Sequence, residues 1–110
     1  MTDYIQVITT TGTPEDAEAI AQALVQQRLA ACVQVFGPIQ STYRWQGKIE
    51  SSREWQCVAK ARHKAFEQID QAIRQLHPYE VPEILAVPIL AGNGDYLAWL
   101  GQQTHTGRQP

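Results

Sequence analysis

A connector with two prolines divides the last third of this chain. Residues 77–84 have the sequence His-Pro-Tyr-Glu-Val-Pro-Glu-Ile, and they follow a segment with helical periodicity. Proline fixes its own φ, lacks a backbone N–H and restricts the residue before it, so Pro78 and Pro82 exclude a regular helix or a central strand. The sequence therefore predicts a stiff extended connector that carries an imidazole, a phenol and two carboxylates into the apolar run that begins at Ile84.

The order of the predicted elements defines the fold class. Residues 4–10 are rich in β-forming residues, and Thr13 and Pro14 then supply a typical N-cap and first helical residue, with Asp16 as the acidic member of a capping box. The order β-α-β-β-α-β is the ferredoxin-like plan of the α+β class, with a four-stranded antiparallel sheet and both helices on one face. The remaining elements are expected as a first helix to about Arg28, strand segments 32–36 and 39–44, a return strand 49–62, a second helix 64–76, a strand from Ile84, and a short C-terminal helix 96–100 capped by Asp95.

Length indicates a single domain. A chain of 110 residues is large enough for one hydrophobic core. We expect residues 1–101 to form that domain. The polar residues 102–110, which include a glycine and a terminal proline, are expected to be a flexible tail.

The hairpin between the two helices is too long for a domain of this size. Its return strand of 14 residues, 49–62, would extend about 46 Å at about 3.3 Å per residue, whereas a compact chain of this length has a diameter of roughly 35 Å. A projecting ribbon with open edges promotes aggregation unless another chain pairs with it, so we predict a closed homo-oligomer. The interface is expected at the aromatic and apolar residues near the hairpin tip: Tyr43, Trp45, Ile49 and Trp55.

Composition and charge exclude several classes of protein. The net charge of −2 argues against nucleic acid as a partner, because phosphate binding needs a concentrated basic face. No apolar run approaches the length of a membrane span, and residues 1–4 lack a basic segment followed by a hydrophobic stretch, so a cytoplasmic protein without a membrane partner is expected. Cys32 and Cys57 lie far apart in apolar strand-like segments, which indicates buried free thiols.

His77 is the best candidate for a metal ligand. Rigid backbone follows it, and Glu80 and Glu83 offer oxygen donors on the same connector. The alternatives are that His77 only caps its helix and that both carboxylates are solvated or paired in salt bridges. Catalysis is the least expected function, because it would need Tyr79 to converge with His77 and a carboxylate around a substrate.

Four segments together resemble the CutA family of divalent-cation-tolerance proteins. They are residues 29–33 (LAACV), 43–50 (YRWQGKIE), 77–84 (HPYEVPEI) and 96–100 (YLAWL), which cover nearly the whole chain in this order. The resemblance implies a ferredoxin-like subunit in a compact homotrimer whose strands join sheets across subunits. It also implies a link to copper and other divalent ions.

The chain departs from the copper-ligand pattern that the resemblance implies. That pattern combines a cysteine near the first strand and loop with adjacent histidines before Pro-Tyr. Residues 9–11 are threonines here, and Leu76 occupies the place of the first histidine, so only His77 matches. Cys32 matches the Ala-Cys-Val position of the family but belongs to a strand.

The sequence leaves open two hypotheses on function, from different classes of protein. The leading hypothesis is a non-enzymatic homotrimer of divalent-cation tolerance that binds Cu²⁺ or a similar cation weakly through His77, helped by neighbouring carboxylates and without an organic cofactor. The alternative is a signalling or scaffold trimer, similar in architecture to PII regulators, that binds a small ligand in clefts between subunits.

Overall fold

The structure is a computed structural model that describes residues 3–104. A four-stranded antiparallel sheet forms the centre of this part of the chain. The strands run in the order β2-β3-β1-β4, and the elements follow the predicted β-α-β-β-α-β order before a last helix. The ferredoxin-like α+β prediction is therefore confirmed. The elements are β1 (Tyr4–Thr11), α1 (Pro14–Gln26), β2 (Ala30–Trp45), β3 (Lys48–Arg62), a 3₁₀ turn (His63–Ala65), α2 (Phe66–Leu76), β4 (Ile84–Pro88) and α3 (Gly94–Gln103).

The hydrophobic core lies between the sheet and the first two helices. Ile20 and Leu24 of α1 and Ile69 and Ile73 of α2 repeat at a spacing of four residues, so each pair lies on one face of its helix and is fully buried. Each such side chain contributes about 1.5–3 kcal/mol by leaving water. The sheet contributes alternate residues of β1 and β3 to this core: Ile5, Val7, Cys57, Ala59 and Ala61. The three that belong to β3 have small side chains, which allow the helices to approach the sheet closely.

The start of α1 follows the predicted capping. Thr13 is extended, and its side-chain oxygen accepts the backbone N–H of Asp16 at 3.1 Å, while Pro14 occupies the first helical position. Pro14 sacrifices no hydrogen bond there, because the first N–H groups of a helix have no partner inside it.

The start of α3 differs from the prediction. Asn93, and not Asp95, is the N-cap, and its Oδ1 accepts the N–H of Tyr96 at 2.9 Å. Asp95 lies instead in the first turn, where its carboxylate stabilises the positive end of the helix dipole.

The end of α3 also differs from the prediction. Arg62 donates to the Gly101 carbonyl at 2.7 Å and to the Thr104 hydroxyl at 3.0 Å, and these bonds hold the last turn to the end of β3. The helix therefore continues through Gln103, and the first residues of the expected tail are ordered against the domain. The rest of that tail, residues 105–110, lies outside the described residues.

The hairpin projects from the sheet as predicted. β2 and β3 pair up to Trp45 and Lys48 around a Gln46-Gly47 turn, in which both residues have positive φ, as the tight hairpin turns require. β1 pairs with β3 only from Trp55 onward, so residues 48–54 pair with β2 alone. This two-stranded part of the hairpin, here called the ribbon, gives the molecule a longest extent of 44 Å.

Trp55 does not lie near the ribbon tip, where it was expected. It pairs with Thr11 of β1 and packs, half-buried, on the hydrophobic core. The physical reason is that β3 pairs with β2 from Lys48 onward but pairs with β1 only from Trp55, so Trp55 begins the section of β3 that lies in the core sheet.

The two thiols differ in burial. Cys57 is buried in the core as predicted, and burial together with the nearby Glu18 carboxylate raises the pKa of its thiol to about 11. Cys32 is only half-buried, because β2 is an edge strand with an irregular register at this point. Both cysteines are free.

None of the helices within residues 3–104 has the length and apolar character of a bilayer span.

Candidate functional site

The connector between α2 and β4 is fastened to the sheet by the ring of His77. Its Nδ1 accepts the backbone N–H of Tyr79 at 3.2 Å, so the proton of the neutral ring lies on Nε2, which donates to the Thr10 carbonyl at 2.7 Å. The side chain is 8% exposed. His77 therefore joins the end of α2 to the end of β1 and sets the path of the residues that follow.

Both ring nitrogens of His77 are consequently engaged. A metal ion could bind the ring only if one of these two hydrogen bonds were broken. The His77 and Tyr79 rings also contact each other, with centroids 4.8 Å apart. In this arrangement the imidazole positions Tyr79, and its ligand role stays a prediction.

Tyr79 links the connector to the hairpin. Its hydroxyl donates to Oε2 of Glu54 at 3.0 Å. Burial raises the pKa of the Tyr79 phenol to about 12, and the hydrogen bond to Glu54 adds to the shift. The phenol is therefore a proton donor at neutral pH. Gly12 makes room for it, since a Cβ atom there would lie 3.0 Å from the hydroxyl.

The connector and the ribbon enclose a cleft of about 930 Å³. Its lining combines four carboxylates, two phenols, one indole and several hydroxyl groups, and no lysine or arginine of residues 3–104 belongs to it. This cleft, here called the acidic cleft, is lined by Thr10, Ser41, Thr42, Tyr43, Trp45, Glu50, Ser52, Glu54, Tyr79, Glu80, Val81 and Glu83.

No side chain in the described part of the chain forms an ion pair with the carboxylates of the acidic cleft. Within residues 3–104 the one ion pair joins Arg74 to Asp70 on the surface of α2, away from the cleft. Glu80 and Glu83 are exposed at the cleft rim, and neither forms a salt bridge within residues 3–104, so their role as ligands stays a prediction. Clefts lined by one sign of charge concentrate ions of the opposite sign, so this cleft attracts cations.

The carboxylates do not form a preassembled metal centre. In the described part of the chain, no group of three or more His, Cys, Asp or Glu side chains is placed to hold one ion. A tight site needs four or more ligands in a fixed geometry. The residues present therefore fit weak binding of a hydrated cation by one or two carboxylates at a time.

The predicted interface residues occupy different positions along the hairpin. Tyr43 and Trp45 line the acidic cleft, and the Tyr43 hydroxyl lies 3.1 Å from the hydroxyl oxygen of Ser52. Ile49 lies on the ribbon outside the cleft and is 70% exposed. Trp55 lies at the base of the ribbon, against the core.

Glu54 and Glu50 are the site residues that sequence reasoning missed. Glu54 meets Tyr79 across a separation of 25 residues, and the two belong to different elements. No spacing in the sequence links them. The one indication in the sequence was the position of Glu54, directly before the buried section of β3, where charged residues are uncommon.

The fold and the cleft define a small ferredoxin-like protein with an acidic cleft beside its hairpin. Residues 5–103 match the family described as CutA1 divalent ion tolerance protein, and the chain belongs to this family.

Similar proteins come from bacteria and plants. The divalent-cation tolerance protein CutA of Thermus thermophilus is 44% identical over 98 residues, which cover 89% of this chain and 95% of that protein. A solved structure of the divalent cation tolerance protein from the same organism superimposes with a TM-score of 0.91 at 42% identity, over 93% of this chain and 99% of that one. The chloroplastic protein CutA of Arabidopsis thaliana is 37% identical over 91% of this chain, which spans about half (55%) of the plant protein.

Proposed function

We propose that this protein is a non-enzymatic homotrimer of divalent-cation tolerance that binds divalent cations, Cu²⁺ among them, weakly in the acidic cleft. The observation that carries the proposal is the set of four cleft carboxylates, with no lysine or arginine of residues 3–104 among the lining side chains. The name of the Thermus thermophilus relative, a divalent-cation tolerance protein, supports the same function.

Weak binding follows from the kind of ligand on offer. Carboxylate oxygens suit Mg²⁺, Ca²⁺ and Mn²⁺, whereas Cu²⁺ gains most from imidazole nitrogen. Glu80 and Glu83 are exposed at the rim and free to bind an ion, while the His77 ring is held by Thr10 and Tyr79. The carboxylates are therefore the proposed primary ligands.

The homotrimer is supported by apolar surface that one subunit leaves in water. Ile49, Val81 and Leu90 are 70%, 75% and 96% exposed, and β2 and β4 are edge strands that can pair further. Closed symmetric assembly covers such surface and removes open edges. A cytoplasmic location belongs to the same proposal and is supported by the free thiols of Cys32 and Cys57.

The absence of catalysis is proposed from the protonation of the candidate reactive groups. The pKa of the Cys57 thiol is raised to about 11 and that of the Tyr79 phenol to about 12. Neither group is an anion at neutral pH, so neither is ready to act as a nucleophile or a general base.

Calorimetric titration with Cu²⁺ and with Mn²⁺ tests the cation site. In the double variant Glu80→Gln/Glu83→Gln we expect about tenfold weaker binding, because both rim charges are lost. The matched control is Glu15→Gln/Glu67→Gln, which removes two exposed carboxylates from the helices and should leave the affinity within about twofold. Equal losses in the two double variants would contradict a site in the cleft.

The same samples test the trimer. Sedimentation equilibrium is expected to give a mass of about 37 kDa, three times the subunit mass of 12.3 kDa. A mass of one subunit at micromolar concentration would contradict this part of the proposal.

One observation also favours the PII-like alternative. The cleft volume of about 930 Å³ lies within the range of pockets that bind small organic molecules, about 300–1,000 Å³. A thermal shift produced by a metabolite, with none produced by metal ions, would favour a signalling trimer over a cation-tolerance protein.

A further inference from the structure

The loop between β4 and α3 contains the single asparagine of the chain, Asn93, and Gly94 follows it directly. The side-chain amide of an asparagine can react with the backbone nitrogen of the next residue, and glycine hinders this reaction least because it has no side chain. Both residues are exposed, and a Cβ atom at Gly94 would meet no other atom within 4 Å. The peptide bond between the two residues is therefore open to water and to base.

The reaction that this pair supports is deamidation. Base removes the proton of the Gly94 nitrogen, and this nitrogen attacks Cγ of Asn93. The Cγ–N bond of the side-chain amide then breaks, and the leaving nitrogen takes up the proton and departs as ammonia. Water opens the resulting five-membered succinimide at one of its two carbonyl carbons, which gives aspartate or isoaspartate at position 93. One water is consumed, one ammonia is released, and no electron is transferred.

The first turn of α3 holds Asn93 in a conformation that cannot close this ring. Its Oδ1 accepts the Tyr96 N–H at 2.9 Å, and its backbone carbonyl accepts the Leu97 N–H at 3.0 Å. The ring needs the Gly94 nitrogen beside the Asn93 side chain, whereas the extended ψ of 129° turns that nitrogen away. Rotation about ψ carries the carbonyl of Asn93 away from Leu97, so the ring closes only after the first turn has opened.

The two products differ in their effect on α3. Aspartate keeps an oxygen acceptor for the Tyr96 N–H and adds a negative charge near the positive end of the helix, so the cap survives. Isoaspartate adds one carbon atom to the main chain and turns the carbonyl that accepts the Leu97 N–H into a side branch, so the first turn is displaced. Leu100, at the other end of the helix, is fully buried and keeps that end in place.

We propose that Asn93 is the site of a slow covalent modification, deamidation through a succinimide, and that the N-cap of α3 sets its rate. The modified chain carries one negative charge more than the −2 of the unmodified chain. The site is separate from the acidic cleft and uses none of the residues that are proposed to bind cations.

Peptide mapping by mass spectrometry tests the site, with the folded full chain incubated at mildly alkaline pH. The wild type is expected to exchange the side-chain NH₂ group of residue 93 for OH before any glutamine reacts. Gly94→Ala should slow this exchange at least about tenfold, because a side chain on the attacking residue crowds the ring. Asn93→Ser is the control: it keeps an N-cap oxygen but has no amide to lose, so position 93 should stay unchanged.

Unfolding tests the role of the cap. The full chain in concentrated guanidinium chloride should deamidate at Asn93 at least about fivefold faster than the folded chain at the same pH, because the cap no longer opposes ring closure. Three results would overturn the proposal: glutamines of the folded wild type that react before Asn93, a Gly94→Ala variant that reacts as fast as the wild type, or equal rates in the folded and unfolded chains.

Discussion

Replacing His77 with alanine is expected to lower the free energy of unfolding by about 3 kcal/mol, one of the two largest effects predicted for a single substitution here. The ring makes one hydrogen bond to the Thr10 carbonyl and accepts another from the Tyr79 N–H. Without it, both backbone groups lose their partner and the buried ring leaves a cavity. Urea unfolding, followed at one protein concentration because the protein is proposed to be oligomeric, measures the loss.

His63→Ala is the matched control for His77→Ala. His63 is exposed at the start of the 3₁₀ turn. Its backbone N–H donates to the Asp3 carbonyl and its own carbonyl accepts the Phe66 N–H, and the substitution keeps both bonds. We expect a change of less than about 0.5 kcal/mol there. If the two alanine variants were equally stable, His77 would not fasten the connector to β1.

Gly37→Ala is expected to lower the free energy of unfolding by about 1–3 kcal/mol. A Cβ atom at Gly37 would lie 2.7 Å from Cδ1 of Trp55 and 2.9 Å from the Glu54 carbonyl oxygen, closer than such atoms can approach. Either the Trp55 ring or the β3 backbone must move to admit the methyl group. Because Glu54 belongs to that backbone, the variant should also bind cations in the cleft more weakly. Thermal and urea unfolding measure the loss of stability, and calorimetric titration with Mn²⁺ measures the loss of cation binding.

Gly94→Ala is the control for Gly37→Ala. A Cβ atom at this first residue of α3 would meet no atom within 4 Å, and alanine favours the helix over glycine. The control is expected to be neutral or slightly stabilising. Equal unfolding curves for Gly37→Ala and the wild type would show that β2 does not approach Trp55 as closely as described.

Local patterns were sufficient for most of the fold. Thr13 and Pro14 predicted the start of α1, the two prolines predicted the extended connector, and the length of β3 predicted the projecting ribbon. Each of these features depends on backbone preferences or on distances along a single element. Sequence alone can express such constraints.

Contacts between distant residues and the exact starts of elements account for the predictions that were wrong. The end of α3 depends on Arg62, which reaches Gly101 across 39 residues. The expected cap at Asp95 and the tip position of Trp55 failed for related reasons, since both needed the exact start of an element. Cap choice and strand pairing are settled by a few residues that local patterns do not distinguish.

For the same reason, only part of the candidate site was predicted from the sequence. The connector that carries His77, Glu80 and Glu83 was identified from sequence, and two of these side chains line the cleft. The hydrogen bond that engages the His77 ring joins residues 67 positions apart, and the bond between Tyr79 and Glu54 spans 25. Neither pairing leaves a pattern in the chain, so the ribbon's contribution to the site became visible only in three dimensions.

Titration of ¹⁵N-labelled protein with Mn²⁺ tests most directly whether the acidic cleft is the cation site. The paramagnetic ion broadens the amide signals of residues close to it. We predict that the signals of residues 80–83 and of Glu50 broaden at the lowest Mn²⁺ concentrations, while those of α1 and α2 stay sharp. Broadening that begins at the acidic residues of the helices, or that affects all exposed carboxylates alike, would contradict a cation site in the cleft.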